Sequence, residues 1–226
     1  MILTNSQVTF LDSMGSDVEV CNAARVCFAK ESIPEPDGSP NKADKKLIRY
    51  LATHAHWTPF AHCFLKFRVK TSFAMARQLV KHQVGLVWNE VSRRYVSTEP
   101  EFYIPDVWRK AAENKKQGST DEEVVYLELQ GFTEPTVRNK VLHFYEYSLD
   151  LYEEMIRCGI CPEQARFVLP LGAVTEWIWS GSLAAFARVC RLRLDPHAQK
   201  EVRDVAVQID ASVPAQFKHS WAALME

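Results

Sequence analysis

The sequence predicts an α+β fold built as a single domain, and three observations carry that reading. Apolar residues alternate over one segment and recur every three or four positions over others, so strands and helices both occur. They mix without a regular strand–helix–strand alternation. Neither an internal repeat nor a boundary divides the 226 residues, 47% of them apolar, so the chain can bury one sizeable core.

Taken in order, Val8 to Leu11 reads as a short strand and Met14 to Asp17 as a turn, with Asp17 capping a helix through Val20, Ala24 and Cys27. Glu31 to Asn41 is rich in Pro, Gly and Ser and reads as a loop. Ala43, Leu47 and Leu51 recur at four-residue steps, the mark of a buried helical face, and that helix should end before Pro59. Phe64 to Val69 alternates in part, with Lys66, Arg68 and Lys70 on one parity and Leu65, Phe67 and Val69 on the other, a strand with one wet face. Phe73 to Gln83 reads as helix, and the aperiodic stretch Val84 to Arg93 as a loop over a site. The polar stretch Ala111 to Asn139 reads as a surface insertion with a short strand or helix.

Leu142, Tyr145, Leu149, Tyr152 and Ile156 predict an amphipathic helix stopped by Gly159, and Pro162 suits the first turn of the next. Val174 to Trp179 has strand composition, with Trp177 and Trp179 as core. Helices follow from Ser182 and from Pro196, the second burying Val202, Val205, Ala206 and Ile209.

Composition excludes several function classes. Lys and Arg total 27 against 28 Asp and Glu, so no electrostatic footprint for nucleic acid exists. No apolar run is long enough to span a bilayer, and Met1 to Phe10 lacks the plan of a secretory signal. Six cysteines spread over this length fit a reduced, cytoplasmic protein.

Two clusters bear chemistry. Arg77 to Gln83, followed by Asn89 to Tyr95, gathers cations, amides, a carboxylate, an imidazole and a hydroxyl around an aperiodic stretch. Those groups suit a phosphorylated, hydrogen-bonding ligand. On one helix, Gln78 would share a face with Lys81 and His82. A solvated helix followed by a charged loop accounts for the same residues. The second cluster is Arg188, Arg191 and Arg193, then Asp195 and His197 to Gln199. An extended stretch would put Arg191 and Arg193 on one face, for a nucleotide or as an exposed edge with ion pairs. His54, His56 and His62 lack a Cys or carboxylate at a recognisable ligand spacing, so no metal site is predicted. Cys158 and Cys161 form a lone C-x-x-C without a thioredoxin-like context. No G-x-G-x-x-G or Walker sequence occurs.

These clusters, in this order, resemble the flavin-dependent thymidylate synthases. That family's signature is Arg-His-Arg, seven residues, Ser, any residue, Arg. Here it becomes Lys81-His82-Gln83, eight residues from Val84 to Val91, and Ser92-Arg93-Arg94. Ala24 to Phe28, with Cys27 in place of serine, and His56 to Phe60 are similar to family patterns, as are Ala76 to Gln78, Asn89-Glu90, Arg94-Tyr95 and Phe102 to Pro105. Later matches are Ala165-Arg166, Val168 to Leu171, Leu192-Arg193, Asp195 and His197 to Gln199.

The resemblance implies a mostly antiparallel sheet and a homotetramer with active sites shared between subunits. It also implies FAD bound without a Rossmann fold, NADPH and 5,10-methylenetetrahydrofolate as cosubstrates, and conversion of dUMP to dTMP. By position, Gln78, Lys81, Glu90, Val91, Ser92, Arg93, Arg94, Arg166 and Arg193 surround dUMP, and Arg193 is also the catalytic group, stabilising charge on the uracil ring. Cys27, His56, Thr58, His82, Gln83, Val84 and His197 face the flavin. Ser182, Ala184 and Arg188 stand at flavin positions where the family has asparagine, arginine and asparagine. Ser92 is read as a phosphate ligand rather than a nucleophile. Three other functions remain open: a flavin-dependent pyrimidine nucleotide hydroxymethylase, an inactive nucleotide-binding homologue, and an RNA-binding module using the arginines.

Overall fold

A computed structural model describes residues 2–96, 98–113, 118–129 and 132–226. The first half runs β1 (Ile2–Leu3), β2 (Gln7–Met14), α1 (Asp17–Arg25), α2 (Lys42–Thr53), α3 (Thr58–Ala61), β3 (Phe64–Ser72), α4 (Phe73–Leu79), β4 (Leu86–Glu90) and β5 (Phe102–Tyr103). Then come β6 (Arg109–Ala111), β7 (Ser119–Glu123), β8 (Tyr126–Leu129), β9 (Phe132–Thr136) and α5 (Val137–Arg157). The chain closes with α6 (Pro162–Ala165), β10 (Val174–Ser182), α7 (Leu183–Arg193), α8 (Lys200–Ala211) and α9 (Lys218–Met225). The larger sheet has the order β2-β3-β10-β4. Helices and mostly antiparallel sheet mix as the sequence predicts. No described helix is long and apolar enough to cross a membrane.

The chain divides into two compact units: Met1–Ser6, Lys70–Leu79 and Glu90–Glu176 in the first, Gln7–Val69, Val80–Asn89 and Trp177–Glu226 in the second. In the first, β1 pairs in parallel with β5, and the Ile104 amide donates to Leu3 O at 3.0 Å. Phe102 stacks on Tyr145 of α5 at 4.7 Å, within a core that also holds Ile104 and Ala173. The Tyr145 hydroxyl donates to Tyr103 O at 3.2 Å. Thr136 caps α5, and Gly159 ends it at φ +85°. There the Ile160 amide reaches Met155 O and the Gly159 amide reaches Ile156 O, the Schellman arrangement expected of a glycine stop. The insertion over 111–139 carries the antiparallel pairs β6–β7 and β8–β9; its residues 114–117 and 130–131 lie outside those described.

In the second unit, α7 packs against α3, α8 and α9. It buries Leu183, Phe186, Val189 and Cys190, and Val202, Val205, Ala206 and Ile209 of α8 are buried as predicted. Phe186 meets Phe67 and Trp179 edge to face, and Trp177 and Trp179 are core. Over β3, Leu65, Phe67 and Val69 are buried and Lys66 and Arg68 exposed, the predicted alternation.

Several local expectations are corrected. Asp17 does not cap α1: Ser16 Oγ accepts from the Val18 amide. The buried Asp17 carboxylate instead accepts from the His219 and Ser220 amides at 2.9 and 2.8 Å, anchoring the start of α9, an eight-residue helix too short to show a period. In α2 the buried stripe is Asp44, Ile48 and Leu51, and Ala43 is exposed. Asp44 belongs inside because its Oδ1 accepts from Arg25 and Ser32, which ties down the Pro-rich loop. Helix α4 stops at Leu79. Residues 86–90 are strand rather than loop: β4 lies at a sheet edge, where partial exposure on both faces erases alternation. Helix α8 begins at Lys200 and not at Pro196, because Asp195 Oδ1 draws the His197 amide into a turn.

Gly172 is required by space. A Cβ there would lie 1.9 Å from the Tyr145 hydroxyl. Gly172→Ala should therefore cost about 1–3 kcal/mol, a fall in Tm of several degrees measurable by thermal denaturation. Adding Tyr145→Phe should recover part of the loss, because the hydroxyl is the nearest obstacle.

Candidate functional site

The first unit holds Gln78, Glu90, Val91, Ser92, Arg93, Arg94 and Arg166; the second holds Lys81, Arg193 and every predicted flavin residue. Because α4 ends at Leu79, Gln78 does not share a helical face with Lys81 and His82. Arg191 and Arg193 lie on α7, not on an extended stretch, so they point roughly 200° apart around the helix. Both sit in its last turn, where the helix dipole favours cations.

In the second unit the 82–85 segment is laid onto the junction of β10 and α7. Gly85 has φ +76°, and a Cβ on it would meet Ala185 Cβ at 3.1 Å and Ser182 Oγ at 3.2 Å. The Ser182 amide donates to Gly85 O at 3.0 Å. Ser182 also caps α7, its Oγ accepting from the Ala185 amide at 3.2 Å. Arg188 donates to Val84 O, and Arg193 Nε donates to His82 Nε2 at 2.9 Å. Burial, then the charges of Arg193 and Arg188, bring the His82 pKa down to about 4. His82 is therefore neutral near pH 7, with its proton on Nδ1 and its Nε2 lone pair holding Arg193.

The other predicted flavin positions are exposed. His56 and Thr58 precede and open α3, which packs against α7 and α1. Cys27 lies on the 3₁₀ turn Val26–Phe28 that follows α1. His197 is held by Asp195 Oδ1, which accepts from its amide at 2.7 Å and lies 3.0 Å from its Nδ1. Phe28, Trp57 and Val84, at or beside these positions in sequence, are 74%, 62% and 74% exposed. Apolar faces, imidazoles and a backbone made approachable by glycine fit a flavin, which combines a flat ring with polar edges and phosphates.

In the first unit, Glu90 and Val91 are fastened to β10. Thr175 Oγ1 donates to Glu90 Oε1 at 2.6 Å, and the Val91 amide to Glu176 O at 2.8 Å. Ser92 Oγ accepts from the Arg94 amide at 3.3 Å, and its carbonyl from the amides of Tyr95 and Val96. Arg93 donates to Thr98 O. Glu163, which sequence reasoning missed, joins two predicted substrate residues: its carboxylate accepts from Arg94 Nε at 2.7 Å, and its carbonyl from Arg166 Nε at 3.3 Å. Its place three residues before Arg166 was the available signal. Gln78 Oε1 is buried with no hydrogen-bond partner among the described residues, an acceptor suited to a ligand N–H or O–H.

Among the described residues, no group of three or more His, Cys, Asp or Glu side chains gathers to hold a metal. Cys158 and Cys161 are both exposed free thiols.

A family model described as thymidylate synthase complementing protein matches residues 9–217. The flavin-dependent thymidylate synthase of Thermosipho africanus is 35% identical over 210 residues, covering 92% of this chain and 86% of that one. Its counterpart in Thermus thermophilus is 33% identical over 229 residues, covering 100% and 77%. Among solved structures, the UMP/dUMP methylase PolB of Streptomyces cacaoi, bound with 5-Br dUMP, superposes with a TM-score of 0.77 at 24% identity, covering 98% and 95%.

The depressed His82 pKa has a sign that can be checked. The contribution of this group to stability is present above the unfolded value of about 6.5 and is lost as pH falls through about 4. In an NMR titration the His82 ring should have its midpoint near 4. Arg193→Ala should move it upward, yet short of the ordinary value, because burial is the larger cause.

Proposed function

Since this chain belongs to the flavin-dependent thymidylate synthase family, we propose that it converts dUMP to dTMP with FAD as cofactor, 5,10-methylenetetrahydrofolate as carbon donor and NADPH as reductant. The observation that carries the reading is that two of the resembling blocks, those of His82 and Arg193, meet in one arrangement, in which the 82–85 segment is held on α7 by Arg188 and Arg193. The family model spans residues of both units, which supports one functional domain over 1–226. The exposed Phe28, Trp57, Val84 and Phe167 support assembly as a homotetramer with shared sites. Cytoplasmic residence belongs to the same reading, supported by six free cysteines.

When bound, the flavin supplies the hydride chemistry that no side chain can. The chain's own residues bind and polarise. Arg94 and Arg166 offer guanidinium groups to a phosphate, Ser92 and backbone amides offer neutral donors, and Gln78 offers a buried acceptor. Arg193 has a fixed charge in a position set by neutral His82, and it is suited to stabilise negative charge growing on a uracil ring. Preorganisation is the point: an arginine already oriented spends no reorganisation energy as that charge develops. Ser92 Oγ accepts a backbone amide rather than facing a base, which supports binding over nucleophilic attack.

Incubation of the purified protein with dUMP, methylenetetrahydrofolate and NADPH should yield dTMP, identified by mass spectrometry. A hydroxymethylated nucleotide would assign the hydroxymethylase chemistry instead, and dUMP binding without turnover an inactive homologue. The protein should be yellow as purified and release FAD on denaturation. Arg193→Ala should lower turnover at saturating dUMP by about 10²–10³-fold while anaerobic flavin reduction by NADPH persists. Ser92→Ala should raise the KM for dUMP about tenfold with turnover retained, as expected for a contact made equally in ground and transition states.

A further inference from the structure

We propose that Thr175, which no family block includes, is a positioning residue for nucleotide recognition: it orients the Glu90 carboxylate to accept a hydrogen bond from dUMP. The inference rests on the dUMP reading of the site. Thr175 is 4% exposed on β10, and its hydroxyl gives a 2.6 Å hydrogen bond to Oε1 of the exposed Glu90. That distance is short for a hydroxyl donor, as befits a charged acceptor. One residue on, the Val91 amide is bonded to Glu176 O at 2.8 Å. The side-chain bond and the backbone bond both help set the place and rotamer of Glu90 before any ligand arrives.

The chemistry of the ligand limits what Glu90 can do. An ionised carboxylate only accepts hydrogen bonds, so it cannot bind phosphate, and it repels it. dUMP has two neutral donors, the uracil N3–H and the sugar 3′-hydroxyl. The first unit places the buried Gln78 Oε1 and the Glu90 carboxylate, both side-chain acceptors, among the predicted nucleotide residues. Acceptors of this kind suit a site that reads a nucleotide away from its charge. A flexible glutamate would lose rotamer freedom on accepting such a bond; the Thr175 hydrogen bond takes part of that loss beforehand.

The test is steady-state kinetics and equilibrium binding of the holoenzyme with dUMP, its 3′-deoxy analogue and its N3-methyl analogue. Thr175→Val keeps the shape and removes the donor. It should raise the KM for dUMP about tenfold, equivalent to 1.4 kcal/mol, with kcat within about twofold. Thr175→Ser should restore the wild-type KM. In Thr175→Val, discrimination against one of the two analogues should shrink, and which one identifies the donor that Glu90 accepts. Glu90→Ala should erase the same discrimination, and Thr175→Val added to it should have no further effect. Additive losses, an unchanged KM in Thr175→Val, or a Thr175→Ser variant as impaired as the valine would overturn the proposal. If Thr175→Val does not fold, Thr175→Ala, which also removes the donor, is measured in its place, and a wild-type KM with intact discrimination refutes the proposal. A wild-type protein that shows no saturable dUMP binding would instead refute the dUMP reading itself, before any variant is made.

Discussion

Gly181 and Gly85 approach so closely that a Cβ on Gly181 would lie 2.4 Å from Gly85 O, and this contact is the constraint on which the 82–85 segment depends. It brings the segment that carries His82, Gln83 and Val84 against the turn where β10 becomes α7, where the Ser182 amide takes Gly85 O at 3.0 Å. From that seat, residues on successive turns of α7 reach back: Arg188 to the Val84 carbonyl, Arg193 to the His82 ring. Glycine serves at both positions for different reasons, backbone conformation and space at Gly85 and space alone at Gly181.

Charge is managed locally throughout. Arg193 does not repel His82, because burial and the neighbouring guanidinium groups keep the imidazole neutral. Arg94 is met by Glu163. Asp44, fully buried, is met by Arg25 and Ser32 through one oxygen while the other has no partner among the described residues, so its place in the core depends on that one-sided bond set. Asp17 spends its charge on two backbone amides at the start of α9.

The altered signature has a physical counterpart. Lys81 and Gln83 replace arginines, and the stretch to Ser92 is one residue longer than the family's pattern, yet 82–85 is firmly fixed. Arg188 supplies a donor to Val84 O. A side chain from α7 thus holds from outside a segment whose own flanking cations have changed.

Much of this was legible in the residues themselves. The wet and dry faces of β3, the stripe of α8, the stop at Gly159 and the burial of Trp177 and Trp179 follow from local periodicity and glycine chemistry, which need no knowledge of the rest of the chain. The order of the blocks around His56, His82, Ser92, Arg166 and Arg193 was enough to point to a flavin enzyme acting on a uridylate. Tertiary structure alone decided what depends on distant partners. Asp17 became an anchor for α9 and Asp44 a core residue because their donors arrive from elsewhere, and β4 became a strand because β10 lies beside it. Glu163 joined Arg94 across 69 positions of chain and Thr175 joined Glu90 across 85. A sequence shows which groups can donate and accept; only the folded chain decides which of them are within 3 Å of one another.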